Sequence, residues 1–221
     1  MSSHFIIGAY GWDYAQWAPS FYPEDLPGDW RLTYYSRFFA SVIVPADCAR
    51  ELTPARCITM LKDVSESFEF FLEIDPEWLV KGDFLATWLS AIDALKPQLS
   101  GFLVPEDPQA TTAPRQALLD NLHILAQCAP VYLAADSSLK ALVPEIPGKI
   151  YLYATPKITQ LTACSLMVLD STVPIDLRQL GKCLLEFYKQ NQSANKKIVL
   201  ITGKPPELAL LHQAQSLVAV F

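Results

Sequence analysis

The chain is poor in glycine, histidine and runs of basic charge, and it contains no long apolar stretch. Eight glycines in 221 residues leave little for phosphate-cradling loops. The first apolar run ends in "GAYGWDY", which does not follow G-x-G-x-x-G and offers no cradle for pyrophosphate, so an open dinucleotide-binding sheet loses its main motif. The three histidines, His4, His123 and His212, precede the first apolar run or fall within helical stretches. A histidine-based triad or a histidine-rich metal site is therefore not expected, and each reads as a surface or helix-packing residue. The five cysteines, Cys48, Cys57, Cys128, Cys164 and Cys183, are odd in number and form no C-x-x-C pair. That excludes a disulfide frame and a zinc ribbon and predicts reduced, mostly buried small hydrophobes, with Cys48 read as packing although it follows the second strand. Apart from Lys196 and Lys197 no basic residues run together, and the net charge of −6 repels a polyanion, so nucleic acid is not an expected partner. No apolar run reaches the roughly 18 residues that span a bilayer. The start "MSSHFIIGAYG" lacks the basic opening and cleavage site of a signal peptide, so a cytoplasmic location is expected.

What is present is apolar and periodic. Hydrophobic residues make up 51% and charged ones 18%, which suits a globular core, and 221 residues fit one domain over 1–221. Eight short runs recur: "HFIIGAYG", "SVIVPAD", "FEFFLEID", "SGFLVPED", "PVYLAAD", "KIYLYAT", "SLMVLDS" and "KIVLITG". Most are continuously apolar, as parallel strands covered on both faces require. Helical stripes lie between them, such as Leu177, Leu180, Leu184 and Phe187, and Phe84, Trp88, Leu89, Ile92 and Leu95. Thr53-Pro54 and Thr155-Pro156 place a capping hydroxyl before a proline, and Asp29 and Asp176 are further candidate caps. The pattern predicts an α/β fold, a compact (β/α)₈ barrel of the TIM type with short helices after strands 5 and 6.

In such a barrel chemistry collects where strands end. The residues there are Tyr10, Trp12 and Asp13, then Asp47, Glu73 and Asp75, then Glu106, Asp107, Asp136, Asp170 and Lys204. Carboxylates dominate, and a ring of them could bind a divalent cation or a polyol, or act as an acid and base pair. The competing reading is structural, because Asp after a strand is a favoured helix cap and "PADC", "ADSS" and "LDST" suit it. Glu73 stands inside an apolar strand and needs either a place at the strand exit or a salt bridge at the opposite face.

The opening stretch carries G-W-x-Y-x-x-W-x-x-x-F-Y-P on Gly11, Trp12, Tyr14, Trp17, Phe21, Tyr22 and Pro23, followed by Leu26, Pro27 and "RLTYYSRFF". This resembles the YecE-like family, a domain of unknown function numbered 72, and implies a TIM-type barrel of uncharacterised activity. The match thins beyond residue 40, as in a divergent member. Where the family usually has V-E-I-N-x-x-F-Y, this chain has Ile43 for the glutamate, Pro45 for the asparagine and Ala49 for the tyrosine. The usual F-x-V-K lysine is Glu73, the glutamine of F-Q-L-P is Leu103, and the usual E-F-R falls on Ala134, Ala135 and Asp136. The resemblance thus implies a degenerate site.

Two functions fit. One is a non-catalytic or altered barrel whose Tyr10, Trp12, Asp13, Tyr14 and Lys204 contact a small molecule or a protein partner, since phenol and indole rings offer an apolar body with a polar tip. The other is a carboxylate-based hydrolase or isomerase, with or without a divalent metal, using Glu73, Glu106, Asp136 or Asp170 on a small molecule. Trp17, Phe21 and Tyr22 are expected to fill space between loop and barrel. No motif names a cofactor.

Overall fold

The structure is a computed structural model that describes residues 4–80, 82–105, 114–134, 138–145, 149–153, 165–192 and 194–220. In chain order the strands are β1 (His4–Tyr10), β2 (Ser41–Val44), β3 (Glu69–Glu73), β4 (Leu99–Val104), β5 (Val131–Ala134), β6 (Ile150–Tyr153), β7 (Leu166–Asp170) and β8 (Lys196–Thr202). The α-helices are α1 (Arg31–Tyr35), α2 (Ala46–Arg50), α3 (Pro54–Lys62), α4 (Gly82–Ala91), α5 (Arg115–Cys128), α6 (Leu177–Gln190) and α7 (Leu208–Val218). Each expected apolar run is a strand. The fold class is α/β, a (β/α)₈ barrel of the TIM type.

Two compact units divide the chain, Met1–Ile43 with Tyr153–Phe221, and Val44–Leu152. In the first the strand order is β2-β1-β8-β7. The pairs are parallel, with registers running from Gly8↔Ser41 to Tyr10↔Ile43, from His4↔Lys196 to Ala9↔Ile201, and from Leu166↔Ile198 to Asp170↔Thr202. Gly8 has a steric reason: a Cβ there would lie 2.3 Å from the Ser41 Oγ, so only glycine lets the two strands approach. In the second unit the order is β6-β5-β4-β3. The β3–β4 register slips between Phe70 and Phe71, and β4 pairs β5 from Phe102↔Val131 to Val104↔Leu133. All residues of β2 and β5 are buried, which accounts for their unbroken apolarity.

The helices follow their caps where the side chains reach. Thr53 Oγ1 accepts from Arg56 N at 3.2 Å with Pro54 opening α3, and Asp176 and Gln179 form a capping box on α6. Leu180, Leu184 and Phe187 are buried as the stripe predicts, but Leu177 opens the helix and is 54% exposed. Asp29 does not cap: it lies inside a 3₁₀ turn, Gly28–Trp30, and α1 follows Trp30 with no side-chain cap. The second stripe is split, because α4 ends at Ala91 and Leu95 belongs to a 3₁₀ segment, Asp93–Gln98. After β5 comes a 3₁₀ helix, Ser138–Glu145; the segment after β6, with Thr155 and Pro156, lies outside the described residues.

Among the described cysteines only Cys57 is buried. Its burial pushes the thiol up, whereas Cys48 is exposed and Cys128 and Cys183 are half-buried, which corrects the expectation of buried packing. Cys48 sits on the outer side of α2, where Ala49 is the buried residue. No described helix is long and apolar enough to cross a membrane.

Candidate functional site

In the first unit β1 ends at Tyr10, and Gly11 turns the chain at φ +69°, a left-handed conformation natural to glycine. The turn is held from the side, because the Tyr14 hydroxyl donates to the Tyr10 carbonyl at 2.6 Å. A Cβ on Gly11 would stand 2.7 Å from that hydroxyl. Two residues on, the Trp12 carbonyl accepts from the Tyr22 hydroxyl at 2.5 Å, and Trp17 Nε1 donates to the Pro206 carbonyl at 3.2 Å. Trp17 stacks on Tyr35 with ring centroids 6.3 Å apart, and Phe21 meets Tyr22 and Tyr34 edge-on. His212 of α7 packs on Phe21 and Phe39, the helix-packing role expected of it. Trp17, Phe21 and Tyr22 are thus interior, as the sequence reading held.

Tyr35 does more than pack. Its hydroxyl accepts from Ala9 N at 2.8 Å and donates to the Ser41 carbonyl at 2.9 Å, so it links β1 to β2 through a side chain. Complete burial raises its phenol well above the ordinary value, and burial also raises that of Tyr22.

The five ligand-contact candidates fall into two groups. Tyr10, Tyr14 and Lys204 form one: the Lys204 ammonium lies 5.3 Å from the Tyr10 ring centroid, and Tyr14 buttresses the Tyr10 backbone. Lys204 follows Gly203, whose φ of +136° turns the chain out of β8. Trp12 and Asp13 form the other. The Asp13 carboxylate pairs with Arg31 at 2.5 Å, and the Arg31 guanidinium lies 5.5 Å from the Tyr22 ring centroid. Tyr10 and Trp12 are buried, while Asp13 and Lys204 are exposed. Arg31 is a residue the sequence reading missed; "RLTYY" carried it, but no local pattern assigns it to Asp13 eighteen residues earlier.

The carboxylate candidates are held locally. Glu73 ends β3, at the strand exit rather than the opposite face, and its Oε2 accepts from Ala46 N at the start of α2, 3.0 Å away. Asp170 Oδ1 accepts from both the backbone and the hydroxyl of Thr172, at 2.9 and 2.7 Å, so it closes a turn rather than capping α6. Asp75 accepts from Glu77 N at 2.9 Å and caps the 3₁₀ helix Pro76–Leu79, and Asp47, inside α2, accepts from Cys48 N. Glu106, Asp107 and Asp136 lie outside the described residues. Among the described residues no three His, Cys, Asp or Glu side chains gather as a metal site.

Within the second unit the described residues at the ends of β4 and β5 are apolar. Leu103 and Ala134 are buried, and the exit of β3 carries Glu73 on a backbone amide. Where the family resemblance leads one to look for Glu, Lys and Gln, at residues 43, 73 and 103, this chain has Ile43, Glu73 and Leu103.

Residues 6–77 match the model of a family described as protein of unknown function DUF72. Two solved structures of similar fold carry the same family name. A DUF72 family protein from Thermotoga maritima is 13% identical, with a TM-score of 0.69 over 97% of this chain and 99% of that chain. One from Enterococcus faecalis is 12% identical, with a TM-score of 0.70 over 98% and 96%. At these identities the structural likeness speaks for the fold. No curated protein matches the sequence. The resemblance read from the aromatic motif is borne out.

Proposed function

We propose that this divergent relative of the DUF72 family is a small-molecule-binding barrel rather than a carboxylate-based hydrolase or isomerase. Its ligand contacts are at the exits of β1 and β8, on Tyr10 and Lys204. The observation that carries the reading is the contrast between acid and base there. Each described strand-exit acid is bonded to a neighbouring backbone amide or, for Asp13, to Arg31, whereas Lys204 is exposed over an aromatic ring with no ion pair to a described acid. An ammonium over a phenol ring presents its remaining N–H donors outward, which suits a ligand with an acceptor or anionic group. Asp13, Trp12 and Tyr14 then hold the frame. The described cysteines are free thiols, one of them exposed, which suits the cytoplasm, and the acidic net charge disfavours nucleic acid. The domain acts as one barrel over residues 1–221.

The test is a thermal-shift and turnover screen of the native protein against small-molecule acids, neutral metabolites, Mg²⁺ and Mn²⁺, since a ligand specific to the native state raises its melting temperature by mass action. The expected result is a saturable shift with a small-molecule acid, lost in Lys204→Ala and kept in Asp170→Asn. Turnover of any ester, amide or sugar that disappears in Glu73→Gln or Asp170→Asn overturns the proposal.

A further inference from the structure

The second unit contains a cleft of about 210 Å³ at the entry side of β4, away from the strand exits of that unit. Its walls are Leu89, Ile92, Leu99 and Phe102, supplied by α4, the turn after it and β4. Phe102 and Ile92 are buried. At the rim Lys96 Nζ and Asp93 Oδ1 meet at 2.5 Å, both side chains more than half exposed, and Cys128 closes the far side from the last position of α5.

We infer that this cleft is a binding site for a neutral, single-ring aromatic molecule with a polar head group, a ligand independent of the one proposed above. Size sets the ring. A cavity of roughly 150 Å³ lined by Leu, Ile and Phe holds benzene; the four apolar walls here have that chemistry in an open cleft of about 210 Å³, whose remaining lining is Ser90, Asp93, Lys96 and Cys128. The rim sets the head group. Lys96 and Asp93 neutralise one another, so a charged ligand finds no uncompensated counter-charge at the entrance to offset its desolvation. A neutral group that both donates and accepts, such as a carboxamide or phenol, finds a donor on Lys96 and an acceptor on Asp93 without breaking their pair. The ring packs on Phe102, and the Cys128 thiol lies at its edge, a favourable sulfur–aromatic placement.

The test uses the native full chain, labelled with ¹⁵N, titrated with benzamide, with benzoate and benzylamine as charged controls of the same size. The expected result is a saturable set of amide shifts confined to Leu89, Ile92, Leu99, Phe102 and Cys128, with affinity for benzamide at least about tenfold above either control. Alkylation of Cys128 by iodoacetamide, followed by peptide mass spectrometry, slows in parallel while that of Cys183 does not. Shifts that map elsewhere, equal affinity for all three probes, or Cys128 alkylation untouched by saturating benzamide each overturn the inference. These outcomes do not depend on Lys204, so failure here and failure of the strand-exit site are separable.

Discussion

After β1 the chain is secured by rings whose polar tips reach the backbone: Tyr14 to Tyr10, Tyr22 to Trp12, Trp17 to Pro206, and Tyr35 to both Ala9 and Ser41. At the exits of β3, β4 and β5 the described residues are secured by burial of small and branched side chains, with Glu73 and Asp75 each held on a backbone amide. The first region looks more like a binding surface in sequence, because it is aromatic and carries the family motif. In three dimensions it is mostly framework. An aromatic hydroxyl bonded to a buried carbonyl is not available to a ligand, so a motif rich in Tyr and Trp marks where a loop is fixed before it marks where something binds.

Substitutions break or sharpen that comparison. The largest expected effect is Trp17→Ala, which removes a side chain 2% exposed and its bond to Pro206. It should cost about 3–5 kcal/mol in urea unfolding, the usual range for a buried Trp truncated to Ala; a loss below about 1 kcal/mol makes the aromatic segment a surface after all. Tyr35→Phe keeps the ring but removes both buried hydrogen bonds of the hydroxyl, the one accepted from Ala9 N–H and the one donated to the Ser41 carbonyl. About 1–3 kcal/mol is expected by the same measurement. In the other region Glu73→Ala removes the acceptor at the start of α2 and should cost about 1 kcal/mol, as loss of a helix cap does. Glu73→Gln, which retains an oxygen, should recover most of it, whereas equal losses from both variants would show that the charge matters more than the hydrogen bond.

The smallest effect is a slope. Unfolded tyrosine ionises near pH 10.0, while burial keeps the Tyr35 phenol protonated above that value in the native state. Above pH 10 the native state therefore holds more protons than the unfolded one, and stability present below that pH is lost as pH rises. Denaturation at pH 9 to 11 should show this decline in the native protein and a shallower one in Tyr35→Phe. Identical slopes would remove Tyr35 from the account and leave Tyr22, raised in the same direction.

The strands were legible because burial on both faces leaves an unbroken apolar run, and β2 and β5 are extreme cases. The caps at Thr53 and Asp176 were legible because both partners lie within three residues. What was hidden is non-local or a matter of facing. Nothing near Tyr35 in sequence announces a bond to Ala9, and the partner of Glu73 depends on where α2 begins, 27 residues away. Asp29 has the chemistry of a cap but sits one turn too early, and Cys48 follows a strand yet points away from Ala49, the buried residue beside it. Of the site, the residue types at the exits of β1 and β8 could be read in advance. Their division into a Lys204–Tyr10 pair and an Asp13–Arg31 pair could not.

The Tyr35 hydroxyl also has a consequence for how the first unit opens. The Ala9 amide lies in the parallel β1–β2 ladder and also donates to the Tyr35 hydroxyl, which in turn donates to the Ser41 carbonyl, so the helix that connects the two strands is tied into the ladder it flanks. The amide proton of Ala9 is then protected both by the ladder and by the docked α1, and exchanges with solvent only when both have opened. Its exchange rate reports the joint opening of helix and strands, whereas that of Gly11 N, bonded directly to the Ile43 carbonyl at 2.8 Å, reports the separation of the strands alone.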